Sequence, residues 1–395
     1  MLSIALLSLC AAALSVSNGP TEVSRINLKN VAFANLIDKS LYLSTFDANP
    51  FGGKDAAFVI KEASDLLKSS TVKPTQLTGS ITWPNTYKKA SASVFGVDGV
   101  LIGGGFLVPG KGDGGVWFSD GKSLTQLFKA KGYFYHQAEL YDVNGDGLLD
   151  ILTCRATKPM FGDGKGDLTY LTPVDRKKPL GPWKETVIGK GCDTFFVLED
   201  INGDGVIDIA SAEFWGSAMT LIQGPKGVFS DASKLTYTSI DKTIGKAFDL
   251  QFVDINGDGK KDILATNHES GNGGVFAYEV PANLNGTWTR HTLATGFPVR
   301  QSGIGQASPG AAHAFYPTVG STGKPSIVVA GDATQRVHFL QPTTTDVNDW
   351  SFTMSELHDC QSTVGGIAVG DTNGDGKNEL FIPCFDKGYL VTLTF

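Results

Sequence analysis

Short apolar runs separated by glycine-rich polar turns repeat along the chain. Four of these turns share the pattern Asp-x-Asn-Gly-Asp-Gly, and each leads into a further apolar run. They begin at Asp142, Asp200, Asp254 and Asp371. The first three are spaced by roughly 55 residues and the last interval is about twice as long, so one degenerate unit is expected before the last loop. Segment 311–329 fits that unit without the acids, and segments 90–102 and 31–43 fit the two preceding periods. The pattern therefore predicts seven repeated units.

Repeats of this length with short alternating strands are typical of β-propeller blades, which cannot bury both faces alone. Residues 18–395 are therefore expected to form a single all-β domain, a seven-bladed β-propeller closed into a ring without sheet edges. The apolar segment 389–395 is expected to pair with the N-terminal segment and fasten that ring. Segment 56–67 follows helical spacing and predicts one helix inserted in the first blade.

Each acidic loop offers oxygen ligands at positions 1, 3, 5 and 9, and its glycines at positions 4 and 6 allow a sharp turn around one centre. Such hard ligands suit Ca²⁺ better than Zn²⁺, so we expect about four Ca²⁺ ions. An EF-hand would need a glutamate at position 12, and none of the loops has one there. With position 7 included, the predicted ligands are Asp142, Asn144, Asp146, Leu148, Asp150, Asp200, Asn202, Asp204, Val206, Asp208, Asp254, Asn256, Asp258, Lys260, Asp262, Asp371, Asn373, Asp375, Lys377 and Glu379.

Composition and the N-terminal segment indicate a secreted protein. The chain has 395 residues and a net charge of −7, which argues against a nucleic-acid partner. The uncharged apolar run Leu2–Val16 is too short to span a bilayer and predicts a signal peptide, residues 1–17, cleaved near Ser17. No later segment has 18 consecutive apolar residues, so no membrane span is expected. The protein is also expected to be a monomer.

Four cysteines remain after removal of the signal peptide, an even number in an oxidising compartment. Three pairings of these residues are possible, and we favour Cys154 with Cys192 and Cys360 with Cys384. Asn285 begins the one glycosylation sequon and is expected on a surface loop.

The metal loops and their strands resemble the FG-GAP/VCBS repeat family across nearly the whole mature chain. That resemblance implies a seven-bladed propeller with a Ca²⁺ loop between the first two strands of a blade. It does not decide the function, because the family includes adhesion modules, lectins and carbohydrate-active enzymes.

In that arrangement, the start of each first strand and the end of each second strand meet at the channel mouth opposite the metal loops. Several polar or aromatic residues are expected there. They are Tyr135, His136, Arg155, Asp193, Glu213, Trp215, Asp249, Gln251, Asn267, His268, Glu269, His313, Asp332, Gln361 and Asp386. Histidine, arginine, carboxylate and tryptophan in one concavity are what a carbohydrate site needs, although a histidine at a strand end can also simply bond a neighbouring blade. The other histidines, His291, His338 and His358, are expected on solvated surface.

Two classes of function follow. The first is an enzyme acting on extracellular glycans, because the chain looks like secreted fungal propeller-type polysaccharide lyases, including rhamnose–glucuronate lyase. Elimination needs a cation for the uronate carboxylate, a base and an acid. Arg155 is the expected cation, His136 and His313 the base and acid, and Tyr135 a spare acid. The expected substrate-binding residues are Asp193, Glu213, Trp215, Asn267, His268 and Gln361. The second class is a non-catalytic Ca²⁺-dependent lectin or adhesion propeller, which would not need paired histidines beside an arginine.

Overall fold

The computed structural model describes residues 19–47, 54–108, 111–158, 163–271, 273–300 and 306–395. The predicted signal peptide, residues 1–17, lies outside the described residues. None of the helices in the described ranges is long and apolar enough to cross a membrane.

Nearly all regular structure in the described chain is β-strand. In chain order, the strands are β1 (Thr21–Asn27), β2 (Val31–Ile37), β3 (Ser40–Thr45), β4 (Ala56–Ile60), β5 (Thr75–Gln76), β6 (Pro84–Ala90), β7 (Gly99–Gly104), β8 (Gly115–Ser119), β9 (Leu124–Lys129), β10 (Phe134–Tyr141), β11 (Asp150–Thr157), β12 (Lys165–Pro173), β13 (Trp183–Lys190), β14 (Phe196–Glu199), β15 (Asp208–Glu213), β16 (Ala218–Gln223), β17 (Thr236–Asp241), β18 (Ala247–Val253), β19 (Asp262–Asn267), β20 (Gly274–Glu279), β21 (Thr289–Thr295), β22 (Ala312–Phe315), β23 (Ser326–Ala330), β24 (Arg336–Pro342), β25 (Phe352–Asp359), β26 (Ala368–Gly370), β27 (Glu379–Cys384) and β28 (Tyr389–Thr394). The helical segments are α1 (Ala92–Phe95) and short 3₁₀ turns at Ala63–Leu67, Pro225–Gly227 and Ala232–Lys234.

The strands form seven four-stranded antiparallel sheets, which are the predicted seven blades. Blades 1 to 6 are built from consecutive strands, beginning with β2–β5 and ending with β22–β25. Blade 7 contains β26, β27 and β28 and takes its outermost strand, β1, from the other end of the chain. Thr21 lies opposite Thr394 and Asn27 opposite Tyr389, so the predicted fastening of the ring by the two chain ends is confirmed.

Between neighbouring blades lies a hydrophobic core. The described residues form seven such clusters, each drawing its members from two adjacent blades. Strands β19, β23 and β27 are accordingly buried along their whole length instead of alternating between core and solvent.

The predicted helix over segment 56–67 is wrong. Ala56–Ile60 is strand β4, which pairs with β3 and β5 in blade 1. Only Ala63–Leu67 is helical, as a 3₁₀ turn. Both faces of β4 are covered by protein, so its apolar residues do not alternate with polar ones, and an unbroken apolar run of this kind also matches helical spacing.

The innermost strands are tied to one another by side chains. Asn85 in blade 2 donates to the main-chain oxygen of Tyr135 in blade 3 over 2.7 Å. Gln137 in blade 3 donates to the main-chain oxygen of Phe196 in blade 4 over 2.9 Å, and its own oxygen accepts from the Phe196 N–H. These bonds satisfy main-chain groups at the strand edge that faces the channel.

The first strands of four blades are also bulged near their starts, between residues 31 and 33, 84 and 87, 135 and 138, and 247 and 250. A bulge adds a residue on one strand and changes the direction in which the following side chains point.

At blade 7, Gly365 approaches blade 1 so closely that a Cβ there would lie 1.7 Å from the Ala32 carbonyl oxygen.

Both favoured disulfides are confirmed. Cys154 of β11 pairs with Cys192, which lies in the connection to blade 4, so this bond joins blades 3 and 4. Cys360 pairs with Cys384 and joins the connection entering blade 7 to its second strand.

Candidate functional site

Because strands within a blade are antiparallel, the channel has two different ends. The four acidic loops all join a first strand to a second strand and therefore lie at one end, here called the loop end. The starts of the first strands and the ends of the second strands lie at the other, here called the rim end. The predicted separation of metal loops from candidate site residues follows from this topology.

At the loop end, the acidic turns are folded around their first carboxylate. Asp142 accepts hydrogen bonds from the N–H groups of Gly145 and Gly147, each over 2.8 Å. In the last loop, oxygens of Asp371, Asp375 and Glu379 all lie within 4.8 Å of one another. In this last loop, the turn geometry thus gathers three of the residues that the sequence predicts as ligands.

The carboxylates at position 9 are buried without full compensation. Asp150 Oδ2, Asp208 Oδ2 and Glu379 Oε1 have no hydrogen-bond partner among the described residues. Burial raises the pKa of each of these groups and raises the pKa of Asp262 to about 7. Buried, unpaired carboxylate oxygens beside further acids fit a hard divalent cation. The presence of Ca²⁺ itself stays a prediction.

The loop at Asp142 differs from the others because an arginine reaches it. Arg176 lies 2.8 Å from Asp150 Oδ1 and 3.5 Å from Asp146 Oδ2. Its positive charge would compete with a cation for the same oxygens.

At the rim end, a series of aromatic rings lines the mouth, and we call it the aromatic rim. Six of the seven blades contribute to it. Its members are Phe46, Trp83, Phe106, Phe134, His136, Phe195, Phe214, Trp215, Phe248, His268 and Phe385.

Successive rings of the rim touch. Phe46 and Trp83 stack with centroids 3.8 Å apart, and Trp83 stacks on Phe106 at 4.9 Å. Phe195 continues the series to Phe248 at 5.5 Å. Many of these rings, including Phe46, Phe106 and Phe248, are only half-buried. Each of these three rings stacks on a neighbouring ring and remains partly accessible.

His136 is packed inside this rim. Its ring lies 6.0 Å from that of Phe106, 5.3 Å from Phe134 and 5.5 Å from Phe195, and the residue is only 4% exposed. Nδ1 is buried and has no hydrogen-bond partner in the described chain. Burial lowers the pKa of His136 to about 4, so the imidazole is neutral at neutral pH.

His268 is held differently, between three blades. Its Nε2 lies 3.0 Å from Asp332 Oδ2 in blade 6, and its ring stacks on Phe248 and leans on Phe214 of blade 4. Asp332 has a left-handed backbone, with φ of 49°, and its main-chain oxygen accepts from Val364 N–H of the connection into blade 7. Because a carboxylate can only accept, an ionised Asp332 places the imidazole proton on Nε2.

Asp193 supports the turn that carries Phe214 and Trp215. Its two oxygens accept from the N–H groups of those residues over 2.6 and 2.8 Å. Burial nevertheless raises its pKa to about 7, and burial also raises the pKa of the nearby Glu213. Trp215 is half-buried, and its ring packs against Gly164.

Two further predicted binding residues, one buried and one exposed, lie at or near strand ends. The Asn267 amide is buried, donates to Ile244 O and accepts from Gly274 N–H, so it fixes the turn after β19. Gln361 is exposed at the rim end, and its main-chain N–H donates to Asp359.

His313 lies in the channel wall, away from the aromatic rim. Its neighbour Ala312 donates its N–H to Asp249, and burial lowers the pKa of His313 while the Asp249 charge opposes that change. Lys88 forms an ion pair with Glu139 at 2.7 Å and acts electrostatically on both His313 and Asp249 from across the channel. The channel interior is therefore polar and contains charges of both signs.

Tyr135 and Arg155 are not brought together with the histidines. The Tyr135 side chain is fully buried in the core between blades 2 and 3 and donates to Glu185 over 2.7 Å. Arg155 pairs with Glu185 and with Asp167, and its guanidinium lies 4.0 Å from the centre of the Tyr133 ring. The bulge between Tyr135 and Ala138 turns His136 and Gln137 away from this network, so neighbouring residues serve different sites.

The expectation of solvated surface is wrong for His338. It is 6% exposed, lies 3.0 Å from Thr334 Oγ1, and burial lowers its pKa to about 4. His358 and His291 are half-buried, and His291 stacks on Trp350 at 4.0 Å. Asn285 is exposed in a turn, as the sequence predicts.

The aromatic rim is the feature that a survey of polar residues misses. A signal for it is present in the sequence, because a phenylalanine follows within two residues of four of the seven second strands. These are Phe46, Phe106, Phe214 and Phe385. His268 occupies the corresponding position in blade 5 and Asp332 in blade 6.

The comparison with protein families agrees with the repeat pattern. The FG-GAP-like repeat family matches residues 200–265, which include two of the acidic loops. No curated protein matches the chain. One similar solved structure is a Thermus thermophilus protein described as a putative oxidoreductase (glucose dehydrogenase), with 11% identity and a TM-score of 0.43 over 80% of this chain and 97% of that one. Similarity at that level tells nothing about the reaction or ligand of this chain.

The Arg155 network predicts a loss of stability in a variant. Arg155→Ala leaves Asp167 and Glu185 as uncompensated carboxylates, and removing one partner of such a buried pair costs about 3–5 kcal/mol. Urea unfolding should show this, whereas Lys89→Ala, which breaks an exposed pair with Asp38, should change little. Unchanged stability of Arg155→Ala would contradict a structural role.

The loop geometry predicts dependence on metal. Purified protein should carry about four Ca²⁺ ions, and chelation should lower its melting temperature because the ions bind only the folded state. Asp254→Ala should act in the same direction. Metal analysis that finds at most one equivalent, with no thermal response to chelator, would exclude four sites.

Burial of neutral His136 predicts a pH dependence of stability. The unfolded chain protonates this residue below about 6.5 and the folded chain only below about 4, so stability falls as the pH is lowered through that window. His136→Phe should reduce the stability difference between pH 7.5 and pH 4.5 by about 2–3 kcal/mol, measured by urea unfolding. Equal pH dependence in the variant and the wild type would mean that His136 is protonated as readily in the folded protein as in the unfolded chain.

Proposed function

We propose that the protein is a secreted enzyme acting on extracellular glycans, most specifically a polysaccharide lyase. Its substrate would be a glucuronate-containing chain, such as one with rhamnose–glucuronate linkages, bound across the rim end. The observation that carries this proposal is His136: a buried, neutral imidazole with an unpaired nitrogen inside an aromatic rim. Leaving a buried polar group unsatisfied costs about 1–3 kcal/mol. A functional role explains why such a group is retained.

The aromatic rim supports binding of a sugar chain. Half-buried rings such as those of Phe46, Phe106 and Phe248 remain partly accessible, and the apolar side of a pyranose would pack against their accessible parts. Concave sites that combine apolar faces with a few polar groups are typical of small-molecule and glycan sites. Two disulfides further support a protein of an oxidising compartment.

The chemistry of elimination makes three demands on the protein. A base removes the C5 proton of the uronate, the bond from C4 to the leaving oxygen breaks, and an acid protonates that oxygen as the C4–C5 double bond forms. Unprotonated His136 suits the base at neutral pH. His268, oriented by Asp332, suits proton transfer at the rim, and His313 is a second candidate deeper in the channel.

The third demand is a cation for the uronate carboxylate. Arg155 is already neutralised by two carboxylates, so its predicted role has little support. Lys246 suits this role better. Its side chain is 46% exposed, its ammonium lies 5.7 Å from the centre of the Phe214 ring, and its ion pair with Glu269 is long at 3.7 Å.

A non-catalytic lectin is the second candidate, and one observation favours it. Arg155 and Tyr135, two of the four residues proposed for elimination, are held with Glu185 in a network within blade 3. A lectin would use the same rim without needing a base. The two functions differ in whether a bound glycan is cleaved.

A direct assay distinguishes the lyase from the lectin. The protein is incubated with acidic plant polysaccharides, including rhamnose–glucuronate glycans, and the absorbance of a 4,5-unsaturated uronate is followed. His136→Phe keeps the aromatic packing and should lower turnover at least ~100-fold, the usual contribution of acid–base catalysis. The matched control is His338→Phe, because His338 is similarly buried but lies in the third strand of blade 6 and is not part of the aromatic rim.

Three results are possible in this assay. Loss of turnover in His136→Phe with retained glycan binding supports the lyase. Binding of glycans by the wild type without any rise in absorbance favours the lectin. Equal turnover of His136→Phe and wild type removes His136 from the mechanism.

A further inference from the structure

Every acidic loop has an asparagine followed by a glycine at positions 3 and 4. The asparagine of such a pair can undergo spontaneous deamidation. The glycine nitrogen attacks the side-chain carbonyl carbon of the asparagine, a new C–N bond forms, and ammonia leaves to give a succinimide. Water then opens the ring to aspartate or to β-linked isoaspartate. The reaction needs no oxidant, reductant or enzyme, and water is its one co-reactant.

Two local properties control whether this reaction occurs. The glycine nitrogen must lose its proton, and a hydrogen bond from that N–H to a carboxylate opposes the loss, because the negative acceptor stabilises the bound proton. The asparagine must also be accessible, since the ring has to form and water has to reach it.

The four loops differ in whether the glycine N–H donates a hydrogen bond to a carboxylate. Gly145, Gly257 and Gly374 each donate their N–H to the first aspartate of their own loop, over 2.8, 2.7 and 2.7 Å. Gly203 donates to no acceptor among the described residues, although Asp200 accepts from Asp204 N–H and Gly205 N–H in the same loop. Blade 4 therefore lacks the hydrogen bond that protects the other three loops.

The loops also differ in how accessible the asparagine is. Asn202 is exposed, whereas Asn144 is half-buried and Asn256 is only 8% exposed. Asn373 is the matched comparison because it is also exposed. Its amide makes the same two bonds to the residue two positions later that the Asn202 amide makes to Asp204.

We infer that Asn202 is a site of spontaneous deamidation, the most reactive of the four loop asparagines. Conversion to aspartate would add a negative charge at position 3 of the loop. Conversion to isoaspartate would lengthen the main chain by one methylene and distort the turn that gathers the acids. Either product would change the cation affinity of blade 4 alone, and neither depends on the proposed glycan chemistry.

The experiment follows the wild-type protein during storage at pH 8 with chelator. Tryptic peptides are analysed by mass spectrometry for the mass gain of deamidation, and a synthetic Ile-Asn-Gly-Asp peptide provides the unprotected rate. Asn202 should react about tenfold faster than Asn373, the factor expected from one hydrogen bond to a charged acceptor. In Asp371→Ala, where Gly374 loses its acceptor, Asn373 should approach the rate of Asn202. Asn202→Gln should abolish the signal from this loop.

The outcomes are decisive in both directions. Faster reaction at Asn202 than at Asn373 in the wild type supports the inference. Equal rates, faster reaction at Asn373, or no reaction at Asn202 while the synthetic peptide reacts completely would overturn it. If Asp371→Ala fails to fold, the comparison of the four wild-type loops still decides the question.

Discussion

The whole structure depends on the mutual covering of blades that are apolar on both faces. Each of the seven hydrophobic clusters lies between two neighbouring blades, so removing any blade would expose two apolar surfaces. The ring therefore has to close, and it closes through strand β1, which pairs with β28 and supplies the outermost strand of blade 7. Side chains such as Asn85 and Gln137 then fix the innermost strands relative to one another.

Ring closure has a functional consequence, because it brings seven copies of the same strand end to one mouth. Residues far apart in sequence, such as Phe46, His136 and His268, become part of one continuous surface. The opposite end of the same strands carries the acidic loops. The acidic loops and the aromatic rim are thereby separated along the channel, and a change in one need not disturb the other.

Buried polar groups have two different roles in this protein. The network of Tyr135, Arg155, Glu185 and Asp167 is internally satisfied and links the four strands of blade 3, as structural ion pairs do. His136 lies next to this network in sequence but has a buried nitrogen without a partner in the described chain. The contrast between satisfied and unsatisfied groups is what distinguishes a structural network from a candidate catalytic group.

The sequence by itself determined the number of blades and the positions of the four acidic loops, and it favoured, among three possible pairings, the disulfide pairs that the structure contains. These features depend on periodicity and on residues close in sequence, which a single chain displays directly. It did not determine the state of segment 56–67, because an apolar run covered on both faces fits a helix or a strand until its neighbours are known. Nor did it determine which way Tyr135, His136 and Arg155 point, because the bulge in β10 breaks the simple alternation of side chains. Only the tertiary structure decided that Arg155 is neutralised by carboxylates of its own blade while His136 lies unpaired within an aromatic rim. The first fact depends on other strands of blade 3, and the second also depends on rings contributed by other blades.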